Sequence, residues 1–210
     1  MLFYRFVRLI VGGGSALLWR VRIRGREHLP PSSGYVLAPS HRSMMDIPFA
    51  AWLTSRPLRY MGKVSLFGIP VLGRLFRVLG GFPVQRDGTD RKALRESIAM
   101  LEGGEILLVY PEGTRQSGPK IQPLQPGAAY LALRAGVPIV PVGVAGTEEI
   151  LRSHGTHVPR FRRVAMVIGE PLVLPRRDHG VVPRAQVDAV TAQLHDALQH
   201  LLDDAYELRG

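Results

Sequence analysis

Short apolar runs separated by stretches of helical periodicity recur along most of this chain. Residues 35–40 (YVLAPS), 58–63 (LRYMGK), 81–86 (GFPVQR), the apolar part of EILLVYPEGTR, 137–146 (VPIVPVGVAG) and 163–174 (RVAMVIGEPLVL) read as strands. Residues 47–54, an apolar stretch over 64–80 interrupted by Pro70, and GAAYLALRAG (127–136) read as helices between them. The clearest helix follows residue 90: Thr89 or Asp90 caps it, Leu94, Ile98 and Leu101 recur at helical spacing, and Gly103–Gly104 ends it. Near the C-terminus Val187, Val190, Leu194, Leu198 and Leu201 form one apolar stripe. Strands alternating with helices predict an α/β fold: a single domain with a mostly parallel central sheet covered by helices. In such sheets chemistry gathers where strands end at their carboxyl side. His41, Arg86 and Glu112 each follow a predicted strand, which brings them towards one site.

Composition narrows the class. With 210 residues the chain is sized for one sizeable core, and it has no cysteine. That excludes disulfides, a Cys-ligated zinc and an acyl-enzyme on a thiol. Lys and Arg number 27 against 17 Asp and Glu, a net charge of +10, which suits nucleic acid, anionic lipid surfaces or phosphorylated substrates. Aromatic residues are only 7%, and no RRM, KH or helix-turn-helix signature accompanies the charge, so no nucleic-acid partner is expected. The longest run free of Asp, Glu, Lys and Arg is residues 28–41, which is 14 long and contains prolines. A bilayer span takes about 18 apolar residues or more, so no transmembrane helix is expected. Residues 1–20 set Leu2, Phe3, Phe6, Val7, Leu9 and Ile10 against Arg5 and Arg8, an amphipathic helix for a surface. Either the domain's own core or a membrane can be that surface. VRIRGREHLP follows it where a leader peptide would need a small-residue cleavage site.

The stretch SHRSMMD (40–46) carries the first chemical signal. In a continuous helix His41 and Asp46 would stand about 140° apart, so they meet only if a turn folds between them. The predicted strand-to-helix junction supplies that turn. A carboxylate accepting from one ring nitrogen fixes the tautomer and frees the other nitrogen as a base. The alternative is a surface histidine beside a capping aspartate. There is no G-x-S-x-G elbow, H-E-x-x-H, Walker loop or G-x-G-x-x-G. His154 and His157 lack a third ligand partner, and no metal is expected. Without a protein nucleophile or a metal, a base would serve a substrate's own hydroxyl.

The second signal is YPEGTRQSG (110–118). Glu112, Gly113, Thr114 and Arg115 combine close backbone approach, a hydroxyl and a guanidinium fork, a set suited to a phosphate monoester. Arg86 adds a second arginine at a strand end and Lys63 a third cation. A phosphatase or lipid hydrolase would share this clamp.

Taken together, these blocks resemble the glycerolipid acyltransferase family, in particular its bacterial 1-acylglycerol-3-phosphate members. His41-x4-Asp46 matches the first block with Ser40 in place of the usual Asn. GKVSLFGIPVLGRLFRVLGGFPVQRD matches the second, with Lys63, Gly73, Gly80 and Arg86 in register. Glu112–Arg115 is the third block intact, although Gln116 precedes Ser117 where Ser usually follows directly. Residues 137–142 match the hydrophobic fourth, so the resemblance runs from about residue 20 to 174.

The resemblance implies an acyltransferase domain over 21–210 behind a membrane-docking segment over 1–20. It implies acyl transfer from acyl-CoA or acyl carrier protein to the free hydroxyl of lysophosphatidic acid, or of glycerol 3-phosphate or another lysolipid. His41 would be the base, Asp46 its orienting partner, Lys63 an oxyanion donor, and Arg86, Glu112, Gly113, Thr114 and Arg115 the phosphate contacts. The acyl thioester is then a co-substrate and no cofactor is needed. The workplace implied is the cytoplasmic face of the cell membrane, held peripherally on anionic lipid.

Overall fold

The computed structural model describes residues 2–84, 90–150, 159–174 and 181–210. Seven strands form one sheet in the order β1-β7-β6-β2-β5-β3-β4. They are β1 (Arg22–Arg24), β2 (Tyr35–Pro39), β3 (Leu58–Lys63), β4 (Gly81–Val84), β5 (Ile106–Leu108), β6 (Ile139–Ala145) and β7 (Ala165–Ile168). All neighbours run parallel except β6 and β7, where Val142 faces Ile168 and Ala145 faces Ala165 across an antiparallel ladder. The mostly parallel α/β sheet expected from the alternation is the fold observed.

Alternation along the central strands sorts side chains to two cores. Val36, Ala38 and Leu107 point to one face. That face is covered by α6 (Arg91–Glu102), α7 (Gly127–Ala135) and α8 (Arg184–Arg209). Tyr35, Leu37, Ile106 and Leu108 point to the other, against Phe49, Ala50 and Leu53 of α3 (Asp46–Leu53). Coverage on both faces explains why β2 is buried at every position and reads as a continuous apolar run. Asp90 caps α6 as expected, accepting from the backbone N–H of Lys92 and Ala93. The apolar stripe of α8 continues through Leu202 and Ala205 rather than Leu201. Gly143 lets this helix approach β6 closely, because a Cβ there would collide with the Leu201 carbonyl.

The apolar stretch after β3 breaks into α4 (Val64–Phe67) and α5 (Pro70–Val78). Proline at the first position of α5 fits a helix start, where its missing N–H costs nothing. Residues 2–18 are helical throughout: α1 (Leu2–Val7), a π-helical stretch (Arg8–Gly13) and α2 (Gly14–Leu18).

One side of the N-terminal segment packs on the domain's own core. Gly12 and Gly13 lie against Pro48 and Trp52 of α3, Tyr4 accepts from the Leu58 N–H at 3.1 Å, and Arg8 donates to the Thr54 carbonyl at 3.0 Å. Phe6, Leu9, Ile10, Val11, Leu17 and Leu18 remain exposed. Among the described residues no helix is long and apolar enough to cross a membrane.

Candidate active site

Because β2, β5, β3 and β4 are adjacent and parallel, the segments leaving their carboxyl ends converge on one edge of the sheet. His41 lies just beyond β2, and Asp46 opens α3 after a tight turn. That turn closes the gap a straight helix would leave. His41 Nδ1 lies 2.9 Å from Asp46 Oδ2, and the same oxygen accepts the backbone N–H groups of Arg42 at 2.6 Å and Ser43 at 2.8 Å. An oxygen already accepting two N–H groups requires the ring nitrogen to donate, so the proton sits on Nδ1. Nε2 is then the basic nitrogen, and it has no protein partner among the described residues. Asp46 is wholly buried, whereas the His41 side chain keeps 16% exposure.

Two contacts outside the motif hold this pair. Thr147, beyond β6, donates its hydroxyl to Asp46 Oδ1 at 2.6 Å and is itself fully buried. The Tyr110 ring stacks on the imidazole, with centroids 4.0 Å apart and planes 23° apart. Burial, and secondly the charge of Asp46, push the Tyr110 phenol well above its ordinary range, so it stays neutral. Its hydroxyl is buried and has no hydrogen-bond partner among the described residues. Ser40 accepts the Val144 N–H at 3.0 Å, fastening the end of β2 to β6 beside Thr147.

The EGTR loop follows β5. Glu112, expected at the phosphate, has a fully covered side chain instead. Its oxygens accept the His41 N–H at 2.8 Å and the Gln122 N–H at 3.4 Å, with the Arg42 guanidinium 4.0 Å away. A carboxylate enclosed this way ties the two loops together and would repel an anion. Arg42, equally covered, reaches the carbonyls of Gly118 and Lys120, and Gln116 N–H donates to the His41 carbonyl at 2.8 Å. Gly113 adopts φ 71°, a left-handed turn that favours glycine, and Thr114 and Arg115 stand exposed beyond it. The backbone of Lys63 ends β3 at this edge, but its side chain lies outside the described residues, as do Arg86, Thr89, His154 and His157.

One cavity opens at His41, and a second adjoins it. A pocket of about 190 Å³ is lined by His41, Met61, Val109, Tyr110 and Gly113 together with Ile47, Tyr60 and Leu108. The last three residues also line a second, apolar cavity of about 280 Å³ between the N-terminal segment, α3 and β3. Phe76 and Leu79 reach this cavity from the stretch 64–80, whereas Phe67 is buried in packing with Phe76. The side chains of Leu66, Val71, Leu72 and Leu75 lie outside the described residues. Tyr60, at the junction, has its phenol pushed up to about 12 chiefly by burial. An imidazole with an unpartnered Nε2, in a pocket next to an apolar cavity, has the chemistry to deprotonate a hydroxyl beside a hydrocarbon chain.

The chain belongs to the acyltransferase family, whose model matches residues 20–145. It is 29% identical over 183 residues to a Bacillus subtilis 1-acyl-sn-glycerol-3-phosphate acyltransferase, covering 86% of this chain and 87% of that protein. To the Escherichia coli protein of the same description it is 30% identical over 121 residues, which span 56% of this chain and about half (49%) of that protein. In fold it matches the crystal structure of the 1-acyl-sn-glycerophosphate (LPA) acyltransferase PlsC from Thermotoga maritima, with a TM-score of 0.77 and 24% identity over 95% of this chain and 78% of that one. The resemblance read from the four sequence blocks is thereby borne out.

Proposed function

We propose that the protein transfers a fatty acyl chain from an acyl thioester to the free hydroxyl of lysophosphatidic acid, producing phosphatidic acid. The observation that carries this reading is the Asp46–His41 pair with Nε2 unpartnered, at a pocket that shares Ile47, Tyr60 and Leu108 with an apolar cavity. Relatives described as 1-acyl-sn-glycerol-3-phosphate acyltransferases support the acceptor.

His41 Nε2 takes the proton of the acceptor hydroxyl as its oxygen attacks the thioester carbonyl. Asp46 stabilises the imidazolium that forms, and a base of this kind contributes roughly 10²–10⁴ in rate. The tetrahedral intermediate collapses by breaking the C–S bond, and the thiolate leaves with the proton from His41. Lys63 steadies the oxyanion, where one positioned donor is worth about 3 kcal/mol. Thr114, Arg115 and Arg86 hold the acceptor phosphate beside Gly113, while Glu112 shapes the loop from beneath. The hydrocarbon tail occupies the apolar cavity. Acyl-CoA or acyl carrier protein supplies the acyl group, and no cofactor takes part. The exposed apolar side of residues 6–18, with the basic surface, docks the enzyme peripherally on the cytoplasmic face of the cell membrane.

The test supplies radiolabelled acyl-CoA, and separately acyl carrier protein carrying the same chain, with lysophosphatidic acid or glycerol 3-phosphate in mixed micelles. Labelled phosphatidic acid from either donor supports the proposal. Labelled free fatty acid without phosphatidic acid would instead identify a thioester hydrolase. Product with glycerol 3-phosphate alone would move the acceptor one step earlier.

A further inference from the structure

The antiparallel turn of β7 has a geometric consequence at the other end of the sheet. Since β7 runs opposite to β6 and parallel to β1, the segments entering β7 and β1 lie on the same edge as His41. Three strand spacings separate β1 from β2, about 14 Å at 4.8 Å each. There the chain forms a groove of about 580 Å³, lined by Leu18, Trp19, Arg20, Phe161, Arg162 and Arg163, and closed by Arg209 and Gly210.

Its charge and its exposed apolar rim point to one kind of occupant. Glu149 pairs with Arg209 at 2.6 Å and with Arg162 at 3.6 Å, but Arg20 and Arg163 have no acidic partner among the described residues. Four arginines therefore outweigh Glu149 and Glu148, the acidic residues whose charge reaches Arg209. Beside them Leu17 is 80% exposed, Leu18 57% and Phe161 72%, continuous with the bare apolar side of the N-terminal helices. Apolar side chains next to unpaired guanidinium groups match the boundary between acyl chains and phosphates in a bilayer.

Arg20 supplies a separate sign. It is the one residue other than glycine with positive φ among the described residues, at 45°. Its N–H bonds the Leu17 carbonyl at 3.2 Å and the Val21 N–H bonds the Ala16 carbonyl at 2.8 Å, a helix stop that usually places glycine at this position. The fold would be served better by glycine, and what arginine adds is a cation in the groove.

We propose that this groove is a binding site for the phosphate headgroup of an anionic phospholipid in the membrane surface, separate from the acceptor site. It rests on the membrane-docking part of the function proposed above. Bound there, a lipid headgroup and the exposed Leu17, Leu18 and Phe161 would hold the His41 edge of the sheet against the bilayer.

Sedimentation with phosphatidylcholine vesicles, with and without phosphatidylglycerol, tests it on the full chain. The double variant Arg20→Gly/Arg163→Gln is compared with Arg91→Gln/Arg95→Gln, which removes the same charge from exposed positions on α6. Each groove arginine is expected to contribute roughly fivefold, about 1 kcal/mol. The groove variant should thus lose about 25-fold of the binding gained from phosphatidylglycerol, while the α6 variant loses less than threefold. Arg20→Gly should also unfold no earlier than the wild type, separating lost binding from lost folding. Equal losses in both variants would overturn the groove and leave diffuse charge as the cause. Displacement from vesicles by adenosine 3′,5′-bisphosphate would overturn it in favour of the nucleotide end of a CoA thioester. A wild type that binds no vesicle at all would sink membrane docking itself, whatever its activity in micelles.

Discussion

Thr147 offers a sharp test of how the proposed catalytic pair, His41 and Asp46, is held. Its hydroxyl is the donor to Asp46 Oδ1, at 2.6 Å, and both residues are fully buried. Thr147→Val keeps the shape and removes the donor, leaving a buried carboxylate oxygen unsatisfied. A hydrogen bond to a charged group is worth about 1.5–3 kcal/mol net. For a chain of this size each kcal/mol corresponds to about 2–4 °C, so the melting temperature should fall by roughly 3–12 °C. The freed carboxylate can rotate away from His41 Nδ1, which lowers kcat about tenfold with little change in KM. Thr147→Ser restores the hydroxyl and should return kcat to within about threefold of wild type. Calorimetry together with steady-state acyl transfer reads both effects. A valine variant with wild-type melting and wild-type kcat would refute the idea that Thr147 positions Asp46.

Other perturbations address separate parts of the structure. Tyr110→Phe removes a buried hydroxyl that has no partner, so stability should hold or rise and kcat should stay within about twofold, whereas Tyr110→Ala removes the ring stacked on His41 and should cost tenfold or more in kcat. Gly143→Ala would drive a methyl into the backbone of α8 and should destabilise by about 2–3 kcal/mol in urea unfolding. A hydrogen bond from Arg209 lowers the pKa of Glu149, so its contribution to stability is present above the ordinary carboxylate range and is lost as pH falls through the depressed value. At this partly exposed site Glu149→Gln should cost up to about 1 kcal/mol at neutral pH and nothing in strong acid. A gap that stays constant with pH would contradict the ion-pair origin.

Legibility from sequence followed the range of the physics involved. Strand-helix alternation, the cap at Asp90 and the meeting of His41 with Asp46 rest on neighbours within a few residues, and each was readable. Strand β1 was not, because its Arg-Ile-Arg turns a single apolar side chain inward and forms no apolar run. The reversal of β7 was also hidden, since direction depends on the path between residues 146 and 164 rather than on the strand's composition. Thr147 lies 101 positions from Asp46 and matches no motif spacing, so only the pairing of β2 with β6 brings them together. Glu112 shows a different limit of sequence reading. Its motif marked it as important, but only the folded loops show that its side chain is covered and accepts the His41 N–H.

The central claim is that His41 acts as the base on an acceptor hydroxyl. The most direct measurement is single-turnover formation of phosphatidic acid from acyl thioester and lysophosphatidic acid, comparing wild type with His41→Ala at matched folding and substrate binding. The account predicts a loss of roughly 10²–10⁴ in the acyl-transfer step with little change in acceptor affinity. Equal single-turnover rates in the two proteins would contradict it.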